Sequence, residues 1–487
     1  MIEPMYLLWP MALPVLAAGA MALLGRWPNA RDAVALLAGV MVFGIVLAGF
    51  EPVLHGARPE LQLWQIAPGL TIKFVLEPLG MLFLLLASLL WPIATVYSIG
   101  YMRGNSESNQ TRFFAFFALS LAATFGIALA GNLLTLFVFY ELLTLLTFPL
   151  VTHAGNSAAR AGGRTYLGIL MGSSVLLFLP AIVWIHFAAG HTDFVAGGIL
   201  AGHVSETGAA LLLLLCVLGV GKAAVMPMHR WLPAAMVAPT PVSALLHAVA
   251  VVKAGVFTVT KLVIYTFGTE FLASIPAERL MVYLAGFTVI AASAVALRQD
   301  NIKRLLAYST IGQLSYIVLA ALVLTPLSEI GAAVHIVAHG FGKITLFFVA
   351  GAIYVTAKKT EVSQLDGIGH RMPWTMTAFA VGALSMIGVP PTAGFVSKWY
   401  MIAGAFQNDL YFVLGVLVIS TALNAAYFLP IIHRAFLRPE NVPPKREHGE
   451  AAWPMAAALV TTATLTIALF VFNGTLVALE KSLVNLP

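Results

Sequence analysis

Long apolar runs separated by short polar turns dominate the chain. A helix needs about 20 apolar residues to cross the hydrocarbon core of a bilayer. About fourteen runs of that kind follow one another: 4–24, 32–50, 76–99, 112–130, 131–153, 164–189, 208–228, 241–266, 277–297, 302–324, 327–356, 373–406, 409–436 and 451–480. Gly131-Asn132, Pro326 and Asn408-Asp409 mark the turns between some of them. The runs are too long and too evenly apolar for barrel strands, so they predict an all-α polytopic membrane protein with about fourteen transmembrane helices. Between Glu51 and Lys73 the pattern changes: Leu61-Gln62-Leu63-Trp64-Gln65-Ile66 alternates in part and predicts a short hairpin.

Two runs are interrupted. The seventh contains Gly221-Lys222 and then Pro227 and Pro233; the twelfth contains Gly388-Val389-Pro390-Pro391, with Lys398 soon after. Proline frees carbonyls and amides that lipid cannot satisfy, so each break must line a cavity or be met by protein. The breaks lie five spans apart. Because five is odd, a second copy of the unit inserts upside down, which predicts two inverted five-helix repeats, each with its fourth helix broken. The organisation expected is an N-terminal unit of three helices with the hairpin (1–110), a first repeat (111–266), a second repeat (267–438) and a last helix (439–487).

Composition agrees and narrows the class. The chain is 60% hydrophobic and only 9% charged, whereas soluble domains carry about 25% charged residues. Its net charge of +6 is not a nucleic-acid patch, because the basic residues sit at the ends of the apolar runs. With the N-terminus outside, the inside loops hold sixteen lysines and arginines, Lys445 and Arg446 among them, and the outside segments only Arg58, Lys73, Arg279 and Lys481. That asymmetry predicts an inner-membrane protein with both termini outside. The first run lacks a basic leader and a small-residue cleavage site, so it reads as a retained helix. The lone Cys216 excludes a disulfide framework, and no thiol set or Gly-rich phosphate loop points to a metal or a cofactor.

The remaining charges lie at membrane depth. Lys261 and Arg230 fall near helix ends, where they can snorkel to water. Glu141 is the one acid placed deep in a span, and Lys222, beside the first break, is its expected partner. Burial disfavours the charged lysine and an adjacent carboxylate restores it. A pair of variable separation is therefore a switchable proton carrier, whereas a fixed one is only a structural ion pair. Lys253 lies too far from a loop to snorkel. His247, six residues earlier, is equally well read as a core histidine bonded to a carbonyl. His335, His339 and Lys343 recur at i, i+4 and i+8 and share one helical stripe. Histidine titrates near neutral pH, and two histidines without thiol or carboxylate make a poor metal site. Lys398, after the second break, closes the line. The predicted order is Glu141/Lys222, Lys253 with His247, His335/His339 with Lys343, then Lys398, with water in the gaps.

Phe139-Tyr140-Glu141, the stretch from Met226 to Pro241, Ile302 to Thr310, His335 to Lys343 and Gly388 to Lys398 resemble the proton-conducting antiporter-like family. That family comprises the antiporter-like subunits of respiratory complex I, the A-type and D-type subunits of Mrp antiporters and their hydrogenase relatives. The resemblance implies a fourteen-helix fold and work inside a complex of membrane subunits, moving protons and, in antiport, sodium. It also implies the roles of ion-pair glutamate, pump lysine, bridging lysine and terminal lysine for Glu141, Lys222, Lys253 and Lys398, with Glu77 at a position where relatives often have an acid. A terminal lysine is similar to the D-type Mrp subunit. His247 is similar to the A-type Mrp subunit and the largest complex I type, and keeps open a redox complex or an inorganic-carbon uptake system.

Overall fold

A computed structural model describes residues 3–275, 278–440 and 449–482; Lys445 and Arg446 lie outside them. Eleven of its helices are long and apolar enough to cross a membrane. In chain order the elements are α1 (Pro4–Leu23), α2 (Pro28–Leu54), a hairpin of β1 (Glu60–Ala67) and β2 (Leu70–Val75), α3 (Pro78–Gly104), α4 (Gln110–Ala128), α5 (Leu133–Val151) and α6 (Ser157–Ala189). There follow α7 (Glu206–Gly219), α8 (Thr240–Phe267), α9 (Arg279–Ala296), α10 (Ile302–Ala321) and α11 (Pro326–Ala357). The last are α12 (Pro373–Ile387), α13 (Ala393–Gln407), α14 (Tyr411–Leu437), α15 (Trp453–Val471) and α16 (Gly474–Lys481). The hairpin pairs antiparallel, with Glu60 opposite Val75, as the alternation predicts.

Short polar caps set where helices begin. Asn132 accepts from the Thr135 amide at 2.8 Å and starts α5; Thr325 and Ser328 form a capping box at α11. The helices then sort by lipid contact. In α1, α2, α6, α14 and α15 between 33% and 39% of the apolar stretch is buried, so most of it is left to lipid; in α8 and α11 all of it is buried. A helix that is apolar on every side and still carries charge can stand only in the protein interior. α11 packs against α10, α12, α13 and α15, and it also touches α3 and α8. That placement takes Lys253, His335, His339 and Lys343 out of reach of both lipid and bulk water, each at 0% exposure.

Both interrupted runs are broken in the structure. After α7 the chain makes a single 3₁₀ turn, Gly221–Ala223, reaches Ala224 at φ +56°, and resumes as the short helix Trp231–Ala234. The freed Gly221 carbonyl accepts from Trp231 Nε1 at 2.9 Å. Between α12 and α13, Gly388 takes φ +88° and turns the chain back. A Cβ on Gly394 would lie 1.8 Å from the Ser385 carbonyl oxygen, so glycine is required where α13 starts against the end of α12.

Candidate functional site

Lys222 sits on the turn after α7, wholly buried. Its Nζ donates to the Tyr140 carbonyl at 2.7 Å and to Thr144 Oγ1 at 2.6 Å, and lies 3.1 Å from the Tyr140 ring centre. Tyr140 Oη accepts from the Lys222 amide at 3.1 Å. The expected direct pair with Glu141 is absent among the described residues: the amine goes to the Tyr140 carbonyl and to Thr144, one turn apart on α5, and Glu141 projects to one side of that contact. Both Glu141 carboxylate oxygens are buried and lack a partner. The glutamate stays within electrostatic reach of the lysine without touching it.

Gly255, two residues beyond Lys253 on α8, fixes the place of Lys222. A Cβ there would lie 2.3 Å from the Lys222 carbonyl carbon and the Ala223 nitrogen. Gly255→Ala is therefore expected to cost about 1–3 kcal/mol and to impair transport without removing any titratable group. Thermal melting together with flux checks this, with Gly44→Ala, where a Cβ meets nothing within 4 Å, expected to be neutral.

The second group gathers around α11. Lys253 Nζ is in hydrogen-bond contact with His339 Nδ1, which joins the central helices α8 and α11 through their charge-bearing side chains. The His335 and His339 rings stand 6.1 Å apart, centre to centre. His335 Nδ1 is 2.7 Å from Ser397 Oγ, and its Nε2 is 3.0 Å from Gln313 Oε1. Gln313 Nε2 in turn donates to the Met386 carbonyl at 3.1 Å. That carbonyl also accepts from Lys398 Nζ at 3.2 Å, and Ile387 O from the same amine at 2.8 Å. The break thus exposes the carbonyl end of α12, and Lys398 occupies it, as a cation should at a helix C-terminus.

A second line reaches the same carbonyl from Lys343. Its Nζ donates to Ser309 Oγ at 2.7 Å; Tyr427 Oη lies 2.9 Å from Ser309 and also meets Asn424 Oδ1. Asn424 Nδ2 then donates to Met386 O at 3.3 Å. Hydrogen bonds therefore run from Lys253 to His339, and from His335 and from Lys343 to the Met386 carbonyl, to which Lys398 also donates. His247 joins neither line: its ring packs 4.6 Å from Phe347 and neither nitrogen has a partner. No hydrogen bond links Lys222 to Lys253 among the described residues; there the helices touch through backbone at Gly255.

Several of these residues escape a search for charges. Tyr140 and Thr144, Ser309, Gln313 and Tyr316, and Ser420, Asn424 and Tyr427 each repeat at i, i+4 or i, i+4, i+7 within an apolar helix. Polar stripes at that spacing, in helices that cannot face water, were the available signal.

Lys261 corrects another expectation. It does not snorkel; it is 1% exposed and pairs with Glu77 Oε1 at 3.1 Å, because α8 is enclosed by protein over its whole length. Glu77, Glu329 and Glu480 are buried as well. These lie at helix ends, where an apolar-run reading assigns acids to water. Arg230 is exposed, as expected.

Apolar helices around a sealed interior that holds lysine amines, imidazoles and an unpaired carboxylate define a multi-pass membrane protein of the proton- or ion-moving class. The chain belongs to the NADH:quinone oxidoreductase/Mrp antiporter transmembrane family, which it matches over residues 130–424. It is similar to the NADH-quinone oxidoreductase subunit N of Desulforudis audaxviator, 32% identical over 75% of this chain and 73% of that protein. It is also similar to subunit L of the same enzyme from Mycobacterium tuberculosis, 30% identical over 97% of this chain and 75% of that one. The A/B subunit of a probable K(+)/H(+) antiporter of Rhizobium meliloti is 33% identical over 88% of this chain, which spans only 43% of that larger protein. In fold it matches a chain of the Mrp complex from Dietzia sp. DQ12-45-1b with a TM-score of 0.88 over 99% of this chain and 97% of that one, at 22% identity. A chain of the archaeal membrane-bound sulfane sulfur reductase matches with a TM-score of 0.86 over 99% and 98%, at 23% identity.

Proposed function

We propose that the chain is the proton-translocating subunit of a multi-subunit Na+/H+ antiporter of the Mrp type, resembling the D-type member of such complexes. It works in a bacterial inner membrane with both termini outside, and residues 111–266 and 267–438 act as the two inverted repeats. Protons pass along Glu141, Lys222, Lys253, His339, His335, Lys343 and Lys398, with His247 as a way station. The buried amines and imidazoles from Lys253 across α11 to Lys398, hydrogen-bonded in stretches with a gap between His339 and His335, carry this reading, because such groups are costly inside a membrane protein unless they serve transport.

A second reading, the proton-pumping arm of a complex I-like redox complex, draws its support from the 32% identity to subunit N over about three-quarters of both chains. The readings differ in the energy source. Moving a charge against 100 mV costs about 2.3 kcal/mol, which must come from an opposing ion or from a partner's redox reaction. In vesicles holding the assembled complex, a sodium pulse is expected to drive proton flux without any electron donor. Flux that appears only with a reductant and a quinone would replace antiport by redox pumping.

A further inference from the structure

Near the end of α8 away from Thr240 lies a group of side chains that the relay does not use. Four donors converge on Glu77: the Leu79 amide at 2.9 Å, the Gly80 amide at 3.0 Å, Lys261 Nζ at 3.1 Å and Tyr265 Oη at 2.8 Å. The lysine also donates to the Ala130 carbonyl at 2.7 Å. This suits a carboxylate, whose charge so many donors stabilise. Glu480, on the short helix α16, is its opposite. It is 0% exposed, neither oxygen has a hydrogen-bond partner among the described residues, and it interacts electrostatically with Glu77 and Tyr265. α16 is held there by packing on α3 and α11, with Val477 against Ile330 and Val334.

A buried carboxylate with no donor is a high-energy arrangement. Arg58 acts electrostatically on Tyr265 but makes its bonds to the carbonyls of Val53 and Ala57, so it does not supply the missing donor. We propose that Glu480, Glu77, Lys261 and Tyr265 form a proton-binding site at the far end of α8, with the proton carried on the Glu480 carboxyl. On release the O–H bond of Glu480 breaks and its proton passes to water; no electrons move. The site shares α8 with Lys253 and so gives the relay a holding point on the side opposite Thr240. That use rests on the proton-transport reading, whereas the protonation itself does not.

Infrared spectroscopy of the full chain within its complex, in lipid nanodiscs at neutral pH, tests the protonation without any transport. The expected result is a protonated-carboxyl C=O band that shifts in D2O, is lost in Glu480→Gln, moves in frequency in Glu480→Asp, and is kept in Glu206→Gln, a change at an exposed glutamate. Glu480→Asp keeps the test open where the glutamine variant does not assemble. A band indifferent to both Glu480 substitutions, or no band at all, overturns the proposal. A chain that shows the band but moves no protons would refute antiport and leave this site standing.

Discussion

Lys222→Ala is expected to lower proton flux through the assembled complex by at least about a hundredfold, the scale on which positioned proton-transfer groups act. The loss should be functional rather than a failure to fold. Thr144 Oγ1 already lies 3.3 Å from the Tyr140 carbonyl, so the two atoms that accept from the lysine can satisfy each other once it is gone. Lys222→Arg should not restore flux, since a guanidinium keeps its proton and cannot act as a carrier. A pH-sensitive dye in inverted vesicles, read alongside the amount of complex in the membrane, checks both. Near-normal flux in Lys222→Ala would take this residue out of the path.

The second large effect concerns the link between the central helices. Lys253 reaches His339 directly, and that contact is the only side-chain hydrogen bond joining α8 to α11 among the described residues. Lys253→Met and His339→Leu should each lower flux by about tenfold or more, and the double variant by little beyond the worse single one. Residues that act as one unit are non-additive in this way. Multiplied losses in the double variant would mean that the two groups serve separate routes.

Much of this could be read from the chain. Apolar length gave the helices, the double proline gave the turn at Gly388, and the i, i+4, i+8 spacing put His335, His339 and Lys343 on one helix inside the protein. What escaped depended on rotation and on partners. Spacing along a sequence does not say that Lys222 will meet the Tyr140 face of α5 rather than Glu141, because that depends on how the broken segment seats against α5 and Gly255. It does not say that Lys261 is enclosed, because that depends on α8 being surrounded on all sides. Glu480 escaped for a related reason: an acid near the end of a chain reads as solvated until α16 is seen folded against α3 and α11. The neutral polar stripes on α10 and α14 were legible but carry no charge to draw the eye.

Proton movement here requires buried amines that exchange protons while sealed from lipid and bulk water. The most direct measurement is solid-state 15N NMR of lysine side chains in the lipid-embedded complex, with Lys222, Lys253, Lys343 and Lys398 assigned by single Lys→Arg substitutions and followed across neutral pH. These four amines are expected to divide between charged and neutral forms over that range, whereas the exposed Lys358 stays charged throughout. If all four remain fully charged, with the spectrum of Lys358, they are fixed counter-charges and no relay runs through them.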